Sequence, residues 1–168
     1  MLLSEWIRKI AFWVLDFLRG SRVRRHYLDI KSMLDDYSDP VAIRKHNEYL
    51  QDILTYAAEN VPFYKRYQGY SSLHSFPSIN KNVIKEDFNA FQSNEFVGAN
   101  VHNMFTSGST GTPFMVRQDQ NKRNRVYAEM LYFWGKAGYE IGMRYIFFRI
   151  WVKLTRKHWL TTWARNLV

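Results

Sequence analysis

Residues 106–113, which read TSGSTGTP, constrain the fold of this chain more than any other segment. Their two glycines allow positive φ angles and let the backbone approach a ligand closely. Apolar residues flank the segment, ending at Phe105 before it and running from Phe114 to Val116 after it. Pro113 fits the edge of a sheet because proline cannot donate a hydrogen bond to a neighbouring strand. We therefore predict a strand, a polar loop and a second strand.

The loop also carries groups that bind anions. Successive backbone N–H groups in a glycine-containing turn form a concave anion site, and serine and threonine hydroxyls add donors that rotate toward phosphate oxygens. These are the groups needed to hold a triphosphate. The segment is not a Walker A loop, because no lysine follows Gly111, and its glycine spacing does not match the dinucleotide-binding fingerprint. A polar hairpin turn without a ligand is the alternative interpretation.

The composition narrows the class of protein without choosing a ligand. The chain has 168 residues, 46 % of them hydrophobic and 17 % aromatic, which is typical of a globular domain with a core. Its 24 Lys and Arg outnumber its 15 Asp and Glu, and the net charge of +9 favours anionic partners, which are nucleotides, nucleic acid or an acidic membrane surface. No nucleic-acid-binding signature is present, so we expect no nucleic acid partner. The absence of cysteine excludes disulfides and thiolate chemistry.

The N-terminal segment is basic and has helical periodicity. In residues 3–18 apolar side chains recur every three to four positions. The apolar side comprises Leu3, Trp6, Ile7, Ile10, Trp13, Val14, Phe17 and Leu18. Two interpretations stay open: the helix packs on its own domain, or it lies on an anionic membrane surface.

The sequence predicts a cytoplasmic location. No apolar run approaches the ~20 residues that a membrane-spanning helix needs. The charged residues Glu5, Arg8 and Lys9 interrupt the start, and no small-residue cleavage site follows, so a signal peptide is not expected. Peripheral contact at the inner face of the membrane is the second possibility.

Local signals predict the helices of the first two thirds of the chain. Asp39, followed by a proline, predicts the start of a helix, and Pro62 predicts its end near Asn60. Asn80 predicts a cap for a short helix that reaches Phe88.

The elements that follow the loop are predicted in the same way. Asp119 begins a longer helix, and Gly138 ends it. Its predicted buried side consists of Val126, Met130, Leu131, Trp134 and Ala137. Residues 145–151, YIFFRIW, predict a buried strand because they are aromatic and β-branched. A last helix is predicted within residues 154–163.

The order and length of the loop are more specific than its composition. TSGSTGTP resembles the signature phosphate loop of the adenylate-forming superfamily, which includes acyl-CoA ligases, luciferases and peptide-synthetase adenylation domains. Residues 56–64, YAAENVPFY, residues 76–81, FPSINK, and residues 134–142, WGKAGYEIG, are similar to segments of phenylacetate-CoA ligase-like proteins. The basic N-terminus resembles that of members found in capsular polysaccharide biosynthesis. The resemblance covers residues 45–151 well and the first 40 loosely.

This resemblance implies a fold and a reaction. The fold is α/β, with α and β mixed: a helical N-terminal half followed by the start of the sheet of an adenylate-forming N-terminal domain. A substrate carboxylate would attack the α-phosphate of ATP in the presence of Mg²⁺, and coenzyme A or another nucleophile would then take the acyl group. The phosphate-gripping residues that the resemblance implies are Thr106, Ser107, Gly108, Ser109, Thr110 and Gly111. Many members have lysine where this chain has Thr112, so one cationic contact is lost.

The resemblance also implies an incomplete enzyme. We divide the chain into a basic amphipathic helical segment, 1–38, and an incomplete N-terminal part of an adenylate-forming domain, 39–168. The family's segments for adenine, ribose and Mg²⁺ and its C-terminal lysine have no counterpart before Val168. We therefore expect a fragment that is not active alone, with unpartnered strand edges and poor solubility. A non-catalytic module at anionic membranes is the alternative.

The sequence does not identify a catalytic residue. His102 precedes the loop and His158 lies near the end, but no partner for either is visible in the sequence. No spacing supports a Ser–His–Asp arrangement, a carboxylate pair or a metal site.

Overall fold

The computed structural model describes residues 2–70, 72–106 and 113–146. These residues form mostly helices, together with a small antiparallel sheet of two strands, which confirms the predicted mixture of α and β structure. The α-helices are α1 Leu3–Leu18, α2 Arg22–Leu34, α3 Pro40–Asn60, α4 Lys81–Glu86 and α5 Gln120–Lys136. The strands are β1 His102–Phe105 and β2 Met115–Gln118. Short 3-10 helices occupy Pro62–Tyr67, Leu73–Ser75 and Asn94–Phe96.

Side-chain caps begin three of the helices at the predicted residues. The Asp39 carboxylate accepts the N–H of Val41, and the Asn80 side chain accepts two N–H groups of the first turn of α4. The Asp119 carboxylate accepts the N–H of Lys122 at the start of α5. Such caps satisfy backbone donors that a helix leaves without an internal partner. The end of α4 differs from the prediction: the helix ends at Glu86 and does not reach Phe88.

The chain divides into two compact units. Among the described residues, one unit combines those up to Lys31 with those from Asn124 onward, and the other lies within Ser32–Arg123. These units are defined by spatial contacts, whereas the predicted division into 1–38 and 39–168 rests on composition and resemblance. That division therefore stays a prediction.

The first unit has a small core built from α1, α2 and α5. Its buried side chains are Phe12, Ile30, Ala128, Leu131 and Tyr132. A chain of ring contacts joins the three helices: the ring centroids of Trp13 and Tyr27 lie 6.1 Å apart, and those of Tyr27 and Tyr132 lie 6.4 Å apart. Edge-on aromatic pairs at such distances add to the stabilisation from burial.

The predicted buried side of α5 is partly wrong. Leu131 is buried as expected, but Met130 and Ala137 are exposed, and Ala128 and Tyr132 are buried instead. A helix of this composition is apolar on more than one side, so periodicity alone did not select the side that faces α1 and α2.

Asp16 is a buried charged residue that joins α1 to α2. Its side chain is only 7 % exposed, and its two carboxylate oxygens accept the N–H groups of Val23 at 3.0 Å and Arg24 at 2.9 Å. These donors belong to the first turn of α2, where a helix has no internal acceptors for them. The carboxylate therefore caps α2 from the preceding helix.

The polar side of α1 makes further contacts within the first unit. The guanidinium of Arg8 donates to the carbonyl of Gly142 at 2.7 Å, and the ammonium of Lys9 lies 3.0 Å from the Glu140 carboxylate. The hydrogen bond and charge of Lys9 lower the pKa of Glu140. Gly142 has a φ of +100°, and a Cβ atom at this position would overlap the backbone carbonyl of Glu5. Helix α1 thus packs on its own unit through the side that carries Phe12 and these polar residues, and not through most of its predicted apolar side.

The second unit is held together by α3 and an aromatic cluster. Ala42, Leu54 and Ala58 of α3 are buried. After Pro62 ends this helix, Phe63 stacks on Phe91 with ring centroids 4.1 Å apart. The N–H of Phe63 also donates to the carbonyl of Ala90 at 2.9 Å, so the segment after α3 is anchored by backbone as well as ring contacts.

Two predictions concern residues outside the described ranges. The helix within 154–163 lies wholly outside them, and so does most of the strand at 145–151, of which only Tyr145 and Ile146 are described. Both of these residues are exposed. Within the described residues no helix is long and apolar enough to cross a membrane.

Replacement of Asp16 by alanine should destabilise the first unit. The change leaves two N–H groups of α2 without their charged acceptor, so we expect the free energy of unfolding in urea to fall by about 2–3 kcal/mol. The matched control is Asp52→Ala on the exposed side of α3, which should stay within about 0.5 kcal/mol of the unsubstituted chain. Equal unfolding midpoints for the two variants would contradict the role of Asp16.

Gly142→Ala should be more destabilising than Gly138→Ala. Both glycines have positive φ, so both variants bear a cost of about 1–2 kcal/mol for a left-handed residue. Only at Gly142 would the added Cβ meet the backbone of α1, which adds about 1–3 kcal/mol of overpacking. Thermal and urea unfolding of the two variants measure this difference. If their stabilities are the same, Gly142 does not lie against α1.

Candidate phosphate-binding loop and adjoining cleft

The candidate loop is closed by an antiparallel hairpin, as predicted. Strands β1 and β2 pair with His102 opposite Gln118 and Phe105 opposite Met115. The next pair along the ladder is Thr106 and Phe114, whose backbone atoms form a hydrogen bond from the Thr106 N–H to the Phe114 carbonyl at 2.9 Å. The chain segment between these two residues is the predicted loop.

Thr106 closes the hairpin through its side chain as well. Its hydroxyl oxygen accepts the N–H of Phe114 at 3.0 Å. This donor would normally be accepted by the backbone carbonyl of the residue opposite. The hydroxyl keeps its own proton, which remains available for donation to an anion. Thr106 therefore holds the base of the loop in shape.

The other predicted phosphate-binding residues are not described by the structure. Ser107, Gly108, Ser109, Thr110 and Gly111 lie outside the described residues, as does Thr112. The structure describes the base of the loop at Thr106 and, on the other side, Pro113 and Phe114. The phosphate-binding roles predicted for residues 106–111 stay predictions.

A cleft in the second unit lies beside the strand that leaves the loop. It has a volume of about 520 Å³. Its walls are mainly apolar and aromatic, and they include Tyr64, Ile84, Phe88, Phe91, Phe96, Val101, Phe114 and Val116. Phe114 belongs both to the base of the loop and to this wall, so the cleft and the loop adjoin.

Polar groups of the cleft come from β2 and the start of α5. Arg117 donates to the side-chain oxygen of Gln92 at 3.2 Å, and its guanidinium lies 5.3 Å from the ring centre of Phe88. These contacts hold a cation over the aromatic wall. Lys122 and Asp119 also line the cleft.

Tyr56 supplies a hydroxyl to the same cleft. Its oxygen lies 2.7 Å from the Ser93 hydroxyl and 2.7 Å from a carboxylate oxygen of Glu95. Burial is the main cause that raises the pKa of Tyr56 above its ordinary value, and the Glu95 carboxylate acts in the same direction against the Ser93 hydrogen bond. The phenol therefore stays protonated at neutral pH and acts as a donor.

The described lining of the cleft combines apolar walls with a few polar groups, and it contains no recognisable acid–base pair. Apolar walls with a few fixed polar groups are typical of small-molecule sites. His102 pairs with Gln118 in the ladder, and His158 lies outside the described residues. Among the described residues no three His, Cys, Asp or Glu side chains are grouped to hold a metal ion.

Sequence reasoning missed this cleft because its lining comes from separate segments. Tyr56 belongs to α3, Glu95 to the 3-10 helix Asn94–Phe96 that directly follows Ser93, and Arg117 to β2. The aromatic residues that surround Pro62 were the one local signal of a concave surface.

Nothing matches this chain among protein-family models, curated proteins or solved structures.

Removal of the Thr106 hydroxyl should loosen the base of the loop. In Thr106→Val the N–H of Phe114 loses its acceptor, and we expect its amide hydrogen exchange to accelerate about 2- to 10-fold, since one hydrogen bond contributes about 0.5–1.5 kcal/mol. The matched variant Thr106→Ser retains the hydroxyl and should exchange at the original rate. Equal acceleration in both variants would contradict the role of the hydroxyl.

Proposed function

We propose that the hairpin loop binds the phosphates of ATP, and that the chain is the N-terminal, phosphate-binding part of a carboxylate-activating ligase of the phenylacetate-CoA ligase-like group. The observation that carries this proposal is the closure of the TSGSTGTP segment between β1 and β2 by the Thr106–Phe114 pair. A phosphate-binding loop needs such a fixed base, because preorganised donors act on developing charge without a further cost of reorganisation.

The loop's part in the reaction is electrostatic. An oxygen of the substrate carboxylate forms a bond to the α-phosphorus of ATP while the bond from that phosphorus to the bridging oxygen breaks, and pyrophosphate leaves with the electron pair. Backbone N–H groups and the hydroxyls of Ser107, Ser109 and Thr110 are the donors that would stabilise the charge gained by pyrophosphate.

The adjoining cleft supports the carboxylate half of the proposal. Its aromatic walls suit an acid with an apolar body, and Arg117 and Lys122 are cations that can attract a carboxylate. Capsular polysaccharide biosynthesis, on the cytoplasmic side of the membrane, is the context that the sequence resemblance suggests for such an acid.

No residue of the described chain is assigned to Mg²⁺ or coenzyme A. The described residues lack a cluster of carboxylates that fits a resident metal ion. Mg²⁺ therefore enters the proposal only as its complex with ATP, since this ion is commonly held through substrate phosphates and water. The same applies to the acyl acceptor, so we expect this chain to bind ATP without completing acyl transfer.

Mg-ATP should protect the loop from hydrogen exchange. At saturating Mg-ATP we expect slower exchange of the backbone amides in residues 107–112, measured by mass spectrometry. The double variant Ser109→Ala and Thr110→Ala removes two hydroxyl donors and should weaken Mg-ATP binding about 5- to 50-fold by calorimetry.

A matched double variant separates the loop from general effects. Ser72→Ala and Ser78→Ala replace two exposed serines outside the hairpin and should leave Mg-ATP affinity unchanged. Unaltered exchange in 107–112 at saturating Mg-ATP, or equal weakening by both double variants, would overturn the proposal. If inorganic pyrophosphate protects residues 107–112 as strongly as Mg-ATP does, the loop binds phosphate without recognising the nucleoside.

A further inference from the structure

Helix α1 presents its apolar side to solvent. Seven of the eight residues predicted for this side are exposed, from 42 % for Ile10 to 74 % for Leu3. We call these seven the α1 stripe: Leu3, Trp6, Ile7, Ile10, Val14, Phe17 and Leu18. Single exposed apolar side chains are common on proteins, but a contiguous set of this size marks a surface that binds something.

Polar contacts fix the rotation of α1 that exposes this stripe. Asp16 caps α2, Arg8 binds the carbonyl of Gly142, and Lys9 pairs with Glu140, all from the opposite side of the helix. Turning the stripe inward would break these contacts and leave the Asp16 carboxylate and the N–H groups of α2 without their partners. The exposure is therefore a property of the packing in this unit.

Arginines follow directly after the C-terminal end of the stripe. Arg19, Arg22, Arg24 and Arg25 are all exposed, and no acidic residue lies among them in residues 19–25. This arginine cluster adds to a chain whose net charge is +9. A partner for this end of α1 must therefore carry negative charge.

We propose that α1 lies flat on an anionic lipid surface, with the α1 stripe inserted among the acyl chains and the arginine cluster against lipid phosphates. A helix of 16 residues with one apolar side and one charged side suits the membrane interface. Trp6 adds a side chain that favours the boundary between apolar and polar regions. This surface goes beyond nucleotide binding and does not depend on it.

Charge complementarity favours lipid over the other occupants of the stripe. A second copy related by a two-fold axis would bring two arginine clusters of the same sign toward one interface. Residues 147–168 of this chain contain basic residues and no acidic ones, so they offer the cluster no counter-charge. An anionic lipid surface supplies both apolar volume and negative charge.

Co-sedimentation with lipid vesicles tests the proposal. The intact chain should bind vesicles that contain anionic phosphatidylglycerol more tightly than vesicles of phosphatidylcholine alone, and higher salt should weaken this binding. The double variant Ile7→Glu and Val14→Glu should bind at least about 100-fold more weakly, because two inserted apolar side chains become charged.

Two further variants make the result specific. Val41→Glu and Ile53→Glu introduce the same charges at equally exposed apolar positions of α3 and should leave vesicle binding unchanged. Arg22→Gln, Arg24→Gln and Arg25→Gln keep the stripe intact and should weaken binding to anionic vesicles on the order of 100-fold, about fivefold for each arginine.

Three outcomes would overturn the proposal. The first is equal binding of the intact chain to both kinds of vesicle, or a loss of vesicle binding in the α3 control variant that equals the loss in the α1 variant. The second is a dimer by light scattering without lipid that Ile7→Glu and Val14→Glu dissociate, which would identify a second copy as the partner. The third is a lower free energy of unfolding in that variant with no vesicle binding by the intact chain, which would mean that the chain covers the stripe itself. Because none of these measurements uses ATP, failure here leaves the proposed function intact.

Discussion

The Asp16 carboxylate is the constraint on which the arrangement of the first unit depends. It is the group that caps α2, and its two hydrogen bonds hold for one rotation of α1. That rotation leaves the side chains of the α1 stripe 42–74 % exposed. Full burial of a leucine-sized side chain contributes about 1.5–3 kcal/mol, and these partly exposed side chains forgo a fraction of it. The packing of α1 and the exposure of its apolar side are thus linked through one carboxylate.

In the second unit, packing against other segments supports the short hairpin that closes the loop. The ladder of β1 and β2 is only four residues long, and both strands are edges in the described residues. Hairpins of two strands are marginal by themselves. The aromatic packing after α3, and the contacts of Arg117 with Gln92 and Phe88, attach the hairpin to a larger body. The base of the loop can therefore keep a fixed shape.

Local signals in the sequence predicted the starts of the helices and the two strands. They did not predict which side of a helix packs against its unit, and they did not predict the cleft. Asp39, Asn80 and Asp119 cap the helices they were expected to cap, because capping depends on residues a few positions apart. The face of α1 that packs depends on Gly142 and Glu140, more than 130 positions away, and periodicity carries no such information. The cleft was not predicted for the same reason, because its lining residues are far apart in the sequence. The phosphate-binding role of residues 106–111 was predicted from the order of these residues and stays a prediction, because the structure describes only Thr106 among them.

Thr106 pairs with Phe114 through its N–H and its side-chain hydroxyl, so one of the two hydrogen bonds at the base of the loop is made by a side chain. In an ordinary antiparallel pair both bonds are made by peptide groups, which every residue except proline possesses. Closure of this hairpin therefore depends on the identity of residue 106 and not on backbone pairing alone. The residue at this position must carry a short side chain with a hydrogen-bond acceptor if both bonds are to persist.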